Sequence, residues 1–318
     1  MNTYRIIFKP HSTISTIPDA QTIFGAICNI IIHTQGQEHF ESYVQSFNTT
    51  EPLLVHSSMF PMGFFPVMKS NIFSIDYINK KMLNESAQEQ LEYFQGMKNC
   101  KNIQFISEDI YRKYISDGNI EAIRDGILDY EYTIRDEWLE SEETEIEIKS
   151  KLNTHVQKRK YYFKESDENS LYYQNDIYCS EDMLFQILVK TTMSQEELLN
   201  IFKYSDAFGF GSRHSVGKNS FKLIDIQPIN IQGKVKMLLS KCMYDEDIDY
   251  QNSNYQMISK EYRTSKSYMN HKMMGRFNLL AEGSVLSTKK DKEWYGKVKK
   301  ITIDNDNAVY YYAIGFVL

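Results

Sequence analysis

The sequence predicts an α+β fold of two ferredoxin-like (RRM-like) domains, and three observations carry that expectation. The chain opens on a strand, a short loop and a capped helix, the way a β-α-β-β-α-β unit begins. A strand, a second capped helix, a glycine-rich loop and another strand occupy Met183 to Ile226. The chain is 318 residues long and 42% hydrophobic, enough for two domains or for one with large insertions. The boundary is expected near residue 228: 1–228 as an N-terminal unit with insertions, 229–318 as a C-terminal unit.

Taken in order, Tyr4 to Phe8 alternates around Ile6 and Phe8 and reads as the first strand, ended by Pro10, His11 and Ser12. Thr16-Ile-Pro-Asp19 reads as a helix start, with a capping hydroxyl, a proline in the first turn and an acid behind it. Ile23, Ile27, Ile30 and Ile31 form one apolar stripe, and Gly25 and Ala26 are small enough to let the helix lie close on a sheet. Ser58 to Lys69 is apolar and punctuated by prolines, which reads as core packing. Gln88 to Asn99 is expected to be helical. Ile103 to Ile106 reads as a short strand, and Ser107 as the cap of a helix holding Ile110, Tyr111 and Tyr114.

Asp136 to Glu147 holds seven acids in twelve residues. Lys149, Lys151, Lys158, Arg159, Lys160 and Lys164 follow, interleaved with His155, Tyr161, Tyr162 and Phe163. Cations meet phosphates and rings stack on bases, so such a stretch suits single-stranded RNA. It equally suits a solvated linker whose two charged halves attract one another. Leu171 to Tyr178 and Met183 to Thr191 read as strands, and Ser194-Gln-Glu-Glu197 has capping-box spacing before the apolar Leu198, Leu199 and Phe202. After the loop, Ser220 to Ile226 and Val235 to Met243 are expected strands. Asp245 to Asp249 lacks the glycine and final glutamate of an EF-hand and reads as a solvated loop. Met257 to Gly275, with Lys260, Arg263, Lys266 and Lys272 beside Tyr262 and Tyr268, is a second basic and aromatic stretch.

Gly209 to Phe221, G-F-G-S-R-H-S-V-G-K-N-S-F, is the candidate site. Glycines let backbone approach a ligand, and Ser212, Arg213, His214, Ser215 and Lys218 offer donors for phosphate oxygens. The loop is neither a Walker P-loop nor a dinucleotide fingerprint, because its glycines follow a helix instead of opening one. A glycine-rich surface turn that binds nothing is the alternative.

Composition narrows the partners. No run of eighteen apolar residues is present, the N-terminal apolar run is too short for a signal peptide, and the four cysteines are scattered. A reduced, cytoplasmic protein is expected. The net charge of −6 argues against a general nucleic-acid binder, yet it is unevenly spread. Residues 1–148 carry 11 basic against 22 acidic residues, whereas 149–318 carry 25 against 20. The split implies one face for an anionic ligand and another for something else, unless charge merely follows local solubility.

The glycine loop, with Tyr204-Ser205 ahead of it and Arg213, Ser215 and Gly217 within it, resembles that of the RAMP superfamily, the RNA-binding proteins of CRISPR systems. Within it the sequence resembles the family of the fourth Csm subunit. The Pro-Asp before I-F-G-A-I, the turn Gly283-Ser284-Val285-Leu286 and the strand Tyr310 to Leu318 extend the likeness to both ends. Asn219, where the family usually has glycine, and a slightly longer approach to Gly211 depart from the pattern. The resemblance implies a non-catalytic subunit of a type III-A (Csm) interference complex, without cofactor or metal. It would bind the 5′ handle of crRNA, dock the large polymerase-like subunit and a backbone RAMP subunit, and meet target RNA indirectly. A thumb would fall in 131–165. The expected RNA contacts are Arg213, His214, Ser215, Gly217, Lys218, His11, Lys158, Arg159, Lys160, Arg263 and Lys266. Two other activities occur in the superfamily. A RAMP endoribonuclease would use a histidine such as His11, although no partner is spaced to help it. A metal-dependent nuclease would use an aspartate, but Asp19 at a helix start is better read as a cap.

Overall fold

The computed structural model describes residues 1–82, 86–145, 147–157, 170–211, 213–264, 273–302 and 308–318. β1 (Asn2–Pro10) is central to the main sheet, as the alternating apolar pattern requires: Ile6 and Phe8 are fully buried. α1 (Ala20–Gln35) follows, capped by Asp19, whose carboxylate accepts from the Thr22 amide at 3.0 Å. The cap is therefore Asp19 and not Thr16, which puts Pro18 outside the helix. The stripe Ile23, Ile27, Ile30 and Ile31 is buried as expected. Gly25, however, is exposed with nothing near it, so Ala26 and not Gly25 permits the close approach.

α2 (Gln37–Ser46), β2 (Leu54–His56), β3 (Phe60–Pro61) and β4 (Phe64–Pro66) follow, the strands wholly buried. An insertion then runs through α3 (Ile75–Met82), α4 (Ala87–Cys100), β5 (Phe105–Ser107), α5 (Glu108–Asp117), α6 (Ile120–Leu128), β6 (Thr133–Arg135) and β7 (Trp138–Glu140). Its sheet has the order β4-β5-β7-β6, with β5 and β7 parallel. Tyr111 stacks on Phe65 of β4 at 4.1 Å within the insertion, and Arg5 of β1 reaches Glu108 at 2.7 Å, which ties the insertion to the main sheet.

β8 (Ile148–Gln157) and β9 (Ser170–Cys179) form a long antiparallel hairpin. β10 (Phe185–Thr191), α7 (Gln195–Phe202), α8 (Ser205–Phe208) and β11 (Phe221–Pro228) return to the main sheet. Its strand order is β11-β1-β10-β2, all antiparallel, with β3 also on β10. β1, α1, β2, β10, α7 and β11 thus follow each other as strand, helix, strand, strand, helix, strand. The Ser194 capping box is formed in full. Leu198 and Phe202 are buried, but Leu199 is 46% exposed; Ile201, at the helical spacing from Leu198, takes its place in the core.

The last ninety residues hold strands and no helix among the described residues: β12 (Lys236–Met237), β13 (Ile248–Asn254), β14 (Met257–Arg263), β15 (Met273–Leu280), β16 (Val285–Thr288), β17 (Trp294–Thr302) and β18 (Ala308–Phe316). They pair as β12-β16-β13, β14-β15 and β17-β18. The strand expected over Val235 to Met243 is only two residues long, because Leu238, Leu239 and Cys242 turn inward as buried plugs. The acidic run at 245–249 is not a solvated loop either. Asp245 and Asp247 are nearly buried and clasp Lys292, whose Nζ lies 2.5 Å from Asp247. The main hydrophobic core runs from Ile6 and Ile27 to Met237, Leu239, Tyr312 and Ile314, spanning both halves. Gly283 closes the contact between them. At φ +82°, a Cβ there would sit 2.0 Å from the Val67 carbonyl oxygen. All four cysteines are free thiols, and no described helix is long and apolar enough to cross a membrane.

Candidate nucleic-acid interface

The glycine loop folds on itself and onto the first turn of α1. Gly209 has φ +62°, and a Cβ there would stand 2.5 Å from His214 Cδ2, so the imidazole sits against bare backbone. Gly211 (φ +108°) similarly admits Thr22 of α1. Both glycines are needed for the loop's own packing. Gly217 has open space beside it and is the glycine that leaves room for a ligand. Arg213 and Asn219 also take left-handed backbone, at φ 69° and 57°. For non-glycine residues this costs of order 1–3 kcal/mol each and persists where the surroundings over-determine it.

Asn219 shows how. Its side chain is 1% exposed, accepts from the Ser15 amide at 2.8 Å and donates to the Ser15 hydroxyl at 2.9 Å. It is a clamp on the β1–α1 connector, turned away from solvent. The connector runs beside the loop throughout: the Asn219 amide donates to the Thr13 carbonyl and the His11 amide to the Ser220 carbonyl, at 3.1 and 2.9 Å. His11, 209 positions upstream of Ser220 and exposed, therefore stands at the loop's exit.

Lys218 reaches a different element. Its ammonium lies 2.6 and 2.8 Å from the Asp176 carboxylate on β9, both side chains largely buried. Burial would raise the Asp176 pKa; the Lys218 and Asn153 hydrogen bonds outweigh it and lower the value. With the Ile14–Ile177 backbone bridge, this ion pair fixes the hairpin to loop and connector. Arg213 is exposed and has no ion-pair partner among the described residues.

The N-terminus of α1 gathers the second basic stretch. Asp19 meets Lys241 at 2.7 Å, Lys260 at 3.2 Å and the Tyr262 hydroxyl at 3.3 Å, the last 243 positions away. Lys241 also reaches Glu282 at 3.2 Å. Burial pushes the Asp19 carboxyl up, but Lys241 and Lys260 prevail and hold it well below the usual carboxylate range. Asp19 is thus the cap of α1 and the ion-pair partner of both lysines. Among the described residues no group of three or more acids, histidines or cysteines could hold a metal.

No protein-family model and no curated protein matches the sequence. Solved structures do. A chain of a Csm3–Csm4 subcomplex of the type III-A CRISPR-Cas interference complex superposes with a TM-score of 0.61 at 18% identity, over 100% of this chain and 98% of that one. A chain of the Csm1–Csm4 cassette in complex with cA4 gives 0.55 at 17% identity, over 99% and 97%. The cassette in complex with pppApA gives 0.53 at 17%, over the same shares. This chain has a Csm-subunit fold.

On that fold the expected contacts divide into those brought together and those not. His11, Arg213, His214, Gly217 and Lys218 share one neighbourhood, and Ser215 lies within the short 3₁₀ turn His214–Val216 between them. Arg263 is exposed at the end of β14, the strand that carries Lys260 and Tyr262 to Asp19. Lys158, Arg159, Lys160 and Lys266 lie outside the described residues. Two lysines went unnoticed in the sequence: Lys9 and Lys222 stand directly opposite one another on β1 and β11, beside His11. Only the strand register reveals them, since they are 213 positions apart.

Proposed function

We propose that this chain is a non-catalytic RNA-binding subunit of a type III-A (Csm) CRISPR-Cas interference complex. It holds the 5′ handle of crRNA against the glycine loop and docks the large polymerase-like subunit on one side and a backbone RAMP subunit on the other. The observation that carries the reading is convergence. The glycine loop, the His11–Ser15 connector, the β8–β9 hairpin and the β14–β15 hairpin, which read separately in sequence as anion-binding stretches or their neighbours, meet around the N-terminus of α1. In this reading the thumb is the β8–β9 hairpin, later than the expected 131–165 because β6 and β7 belong to the insertion's sheet; residues 1–228 form the unit that carries the loop, and 229–318, strands without a helix among the described residues, form the second unit.

Arg213, His214 and the backbone at Gly217 contact phosphate, with Arg263, Lys266 and Lys158–Lys160 flanking them. Lys218 acts through Asp176, holding loop to thumb. Replacing Arg213 by alanine is expected to weaken single-stranded RNA binding and to reduce the slope of log K against log salt by about 0.7 per lost phosphate contact. An unchanged slope removes this loop from the interface.

The position of His11 at the loop exit favours one second reading, a RAMP endoribonuclease with His11 as general acid or base. The purified chain is expected to leave repeat RNA intact with or without magnesium. Cleavage abolished by His11→Ala would establish the nuclease instead.

A further inference from the structure

We infer that Lys9 and Lys222 form a second phosphate-binding pair that carries the RNA backbone off the glycine loop and onto the β1–β11 edge of the main sheet. The inference rests on the RNA-binding reading above and adds to it two residues and a direction. In the antiparallel register Lys9 stands opposite Lys222 and Pro10 opposite Phe221. Residues so paired have Cβ atoms about 4.5–5.5 Å apart on the same face, and like charges there repel. Neither lysine makes an ion pair with a carboxylate among the described residues, although the N-terminal half has acids in excess.

The neighbours sharpen the assignment. Phe8 beside Lys9 and Phe221 beside Lys222 are fully buried, so the two lysines project from the opposite face of the sheet, whose more distant residues Ile7 and Arg5 are covered by the insertion. Lys222 is exposed and Lys9 half-buried. The pair sits one position beyond Pro10 and Phe221, next to the His11–Ser220 hydrogen bond that closes the loop. Two positions on, the register slips and leaves Ile224 unpaired and 48% exposed, an apolar side chain at the same sheet edge. The acid closest in register, Asp225 opposite Ile7, accepts from the Ile226 amide and Gln227 instead of pairing with either lysine. Two cross-strand ammonium groups at strand ends, next to the hydrogen bond that closes the loop, match a phosphodiester chain better than a single small anion, which the loop itself would hold.

The test is the salt dependence of binding to a single-stranded RNA of about 12 nucleotides, within the usual footprint of small RNA-binding folds. Five forms of the full chain are compared: wild type, Lys9→Gln with Lys222→Gln, Lys222→Arg, Arg213→Ala, and the charge-matched control Lys98→Gln with Lys101→Gln. Thermal unfolding checks each fold. The Lys9/Lys222 variant should lower the slope by about 1.4, two contacts at about 0.7 each, and unfold no earlier than wild type because a repulsion has been removed. Lys222→Arg, which keeps the charge, should retain the slope. If Arg213→Ala lowers the slope and the Lys9/Lys222 variant does not, the pair is overturned while the loop reading stands. If the control lowers it equally, the effect is net charge and the pair is again overturned. If wild type itself shows no salt-dependent binding, both fail.

Discussion

His56 is a core histidine with a consequence for stability. It is fully buried and stacked on Tyr312 at 4.5 Å, and its Nδ1–H donates to the Ser57 carbonyl at 3.0 Å. Burial pushes its pKa down to about 4 from 6.5, against the Ser57 hydrogen bond. The unfolded chain therefore binds more protons than the folded one between those values, so stability is complete above about pH 6.5 and falls as pH drops toward 4. The loss amounts to about 3 kcal/mol across the window. Urea unfolding of wild type and His56→Leu at pH 7 and pH 4.5 checks it: the wild type should lose stability and the variant should lose distinctly less. Parallel losses would assign the acid sensitivity to other groups. Gly283 makes the other prediction at this scale. Alanine there must adopt φ near +82° and find room where the Val67 carbonyl stands, so it should destabilise by roughly 2 kcal/mol or more, read as a lowered urea midpoint. A midpoint equal to wild type would show that the two halves need no such close contact.

Among the elements, the hairpin packs its base on the core through Ile148, Ile177 and Cys179 and is held to the glycine loop and connector by the Lys218–Asp176 pair and the Ile14–Ile177 bridge. Leu152, Leu171 and Tyr173, on its other face, are each at least 60% exposed and add no packing. Lys218→Met should therefore raise hydrogen exchange in β8 and β9 while leaving β1 and β10 protected, as expected of a unit with its own low opening energy. Uniform protection would mean that the hairpin is anchored elsewhere. The elements most legible in the sequence are those whose signal is local. The capping box at Ser194 and the isoleucine stripe of α1 depend only on nearby residues, and both formed as read. Leu199 and the run at 235–243 misled because a short apolar pattern does not say which side chain turns inward. In the loop, glycine spacing marked a place of unusual backbone. It could not reveal that Gly209 and Gly211 serve His214 and Thr22, or that Lys218 is paired with Asp176, since those partners come from distant strands and helices. Lys9 and Lys222 became visible only through register.

For the molecule as a whole, charge is the organising feature. The acids of the N-terminal half include Glu142, Glu143 and Glu145, all exposed beyond β7, whereas Lys241 and Lys260 of the C-terminal half meet at the N-terminus of α1. At physiological salt exposed charges act over about 8–10 Å, so RNA and protein partners can share one acidic chain on separate faces. Reversing Glu142, Glu143 and Glu145 should leave RNA affinity intact and impair only assembly with protein subunits. Reversing Lys158, Arg159 and Lys160 should disturb RNA or backbone-subunit contacts and spare the large subunit. Equal loss of RNA binding in both would end the division of faces. The most direct test of the RNA interface itself is photo-crosslinking of a 5′-handle RNA carrying 4-thiouridine to the full chain, with the linked peptides mapped by mass spectrometry. Cross-links are expected in the peptides that hold His11, Arg213–Lys218 and Lys222, with further ones in 149–164 and 257–276. Cross-links confined to the acidic stretch 136–147 and the helices of the insertion, with none in the loop, would contradict the account.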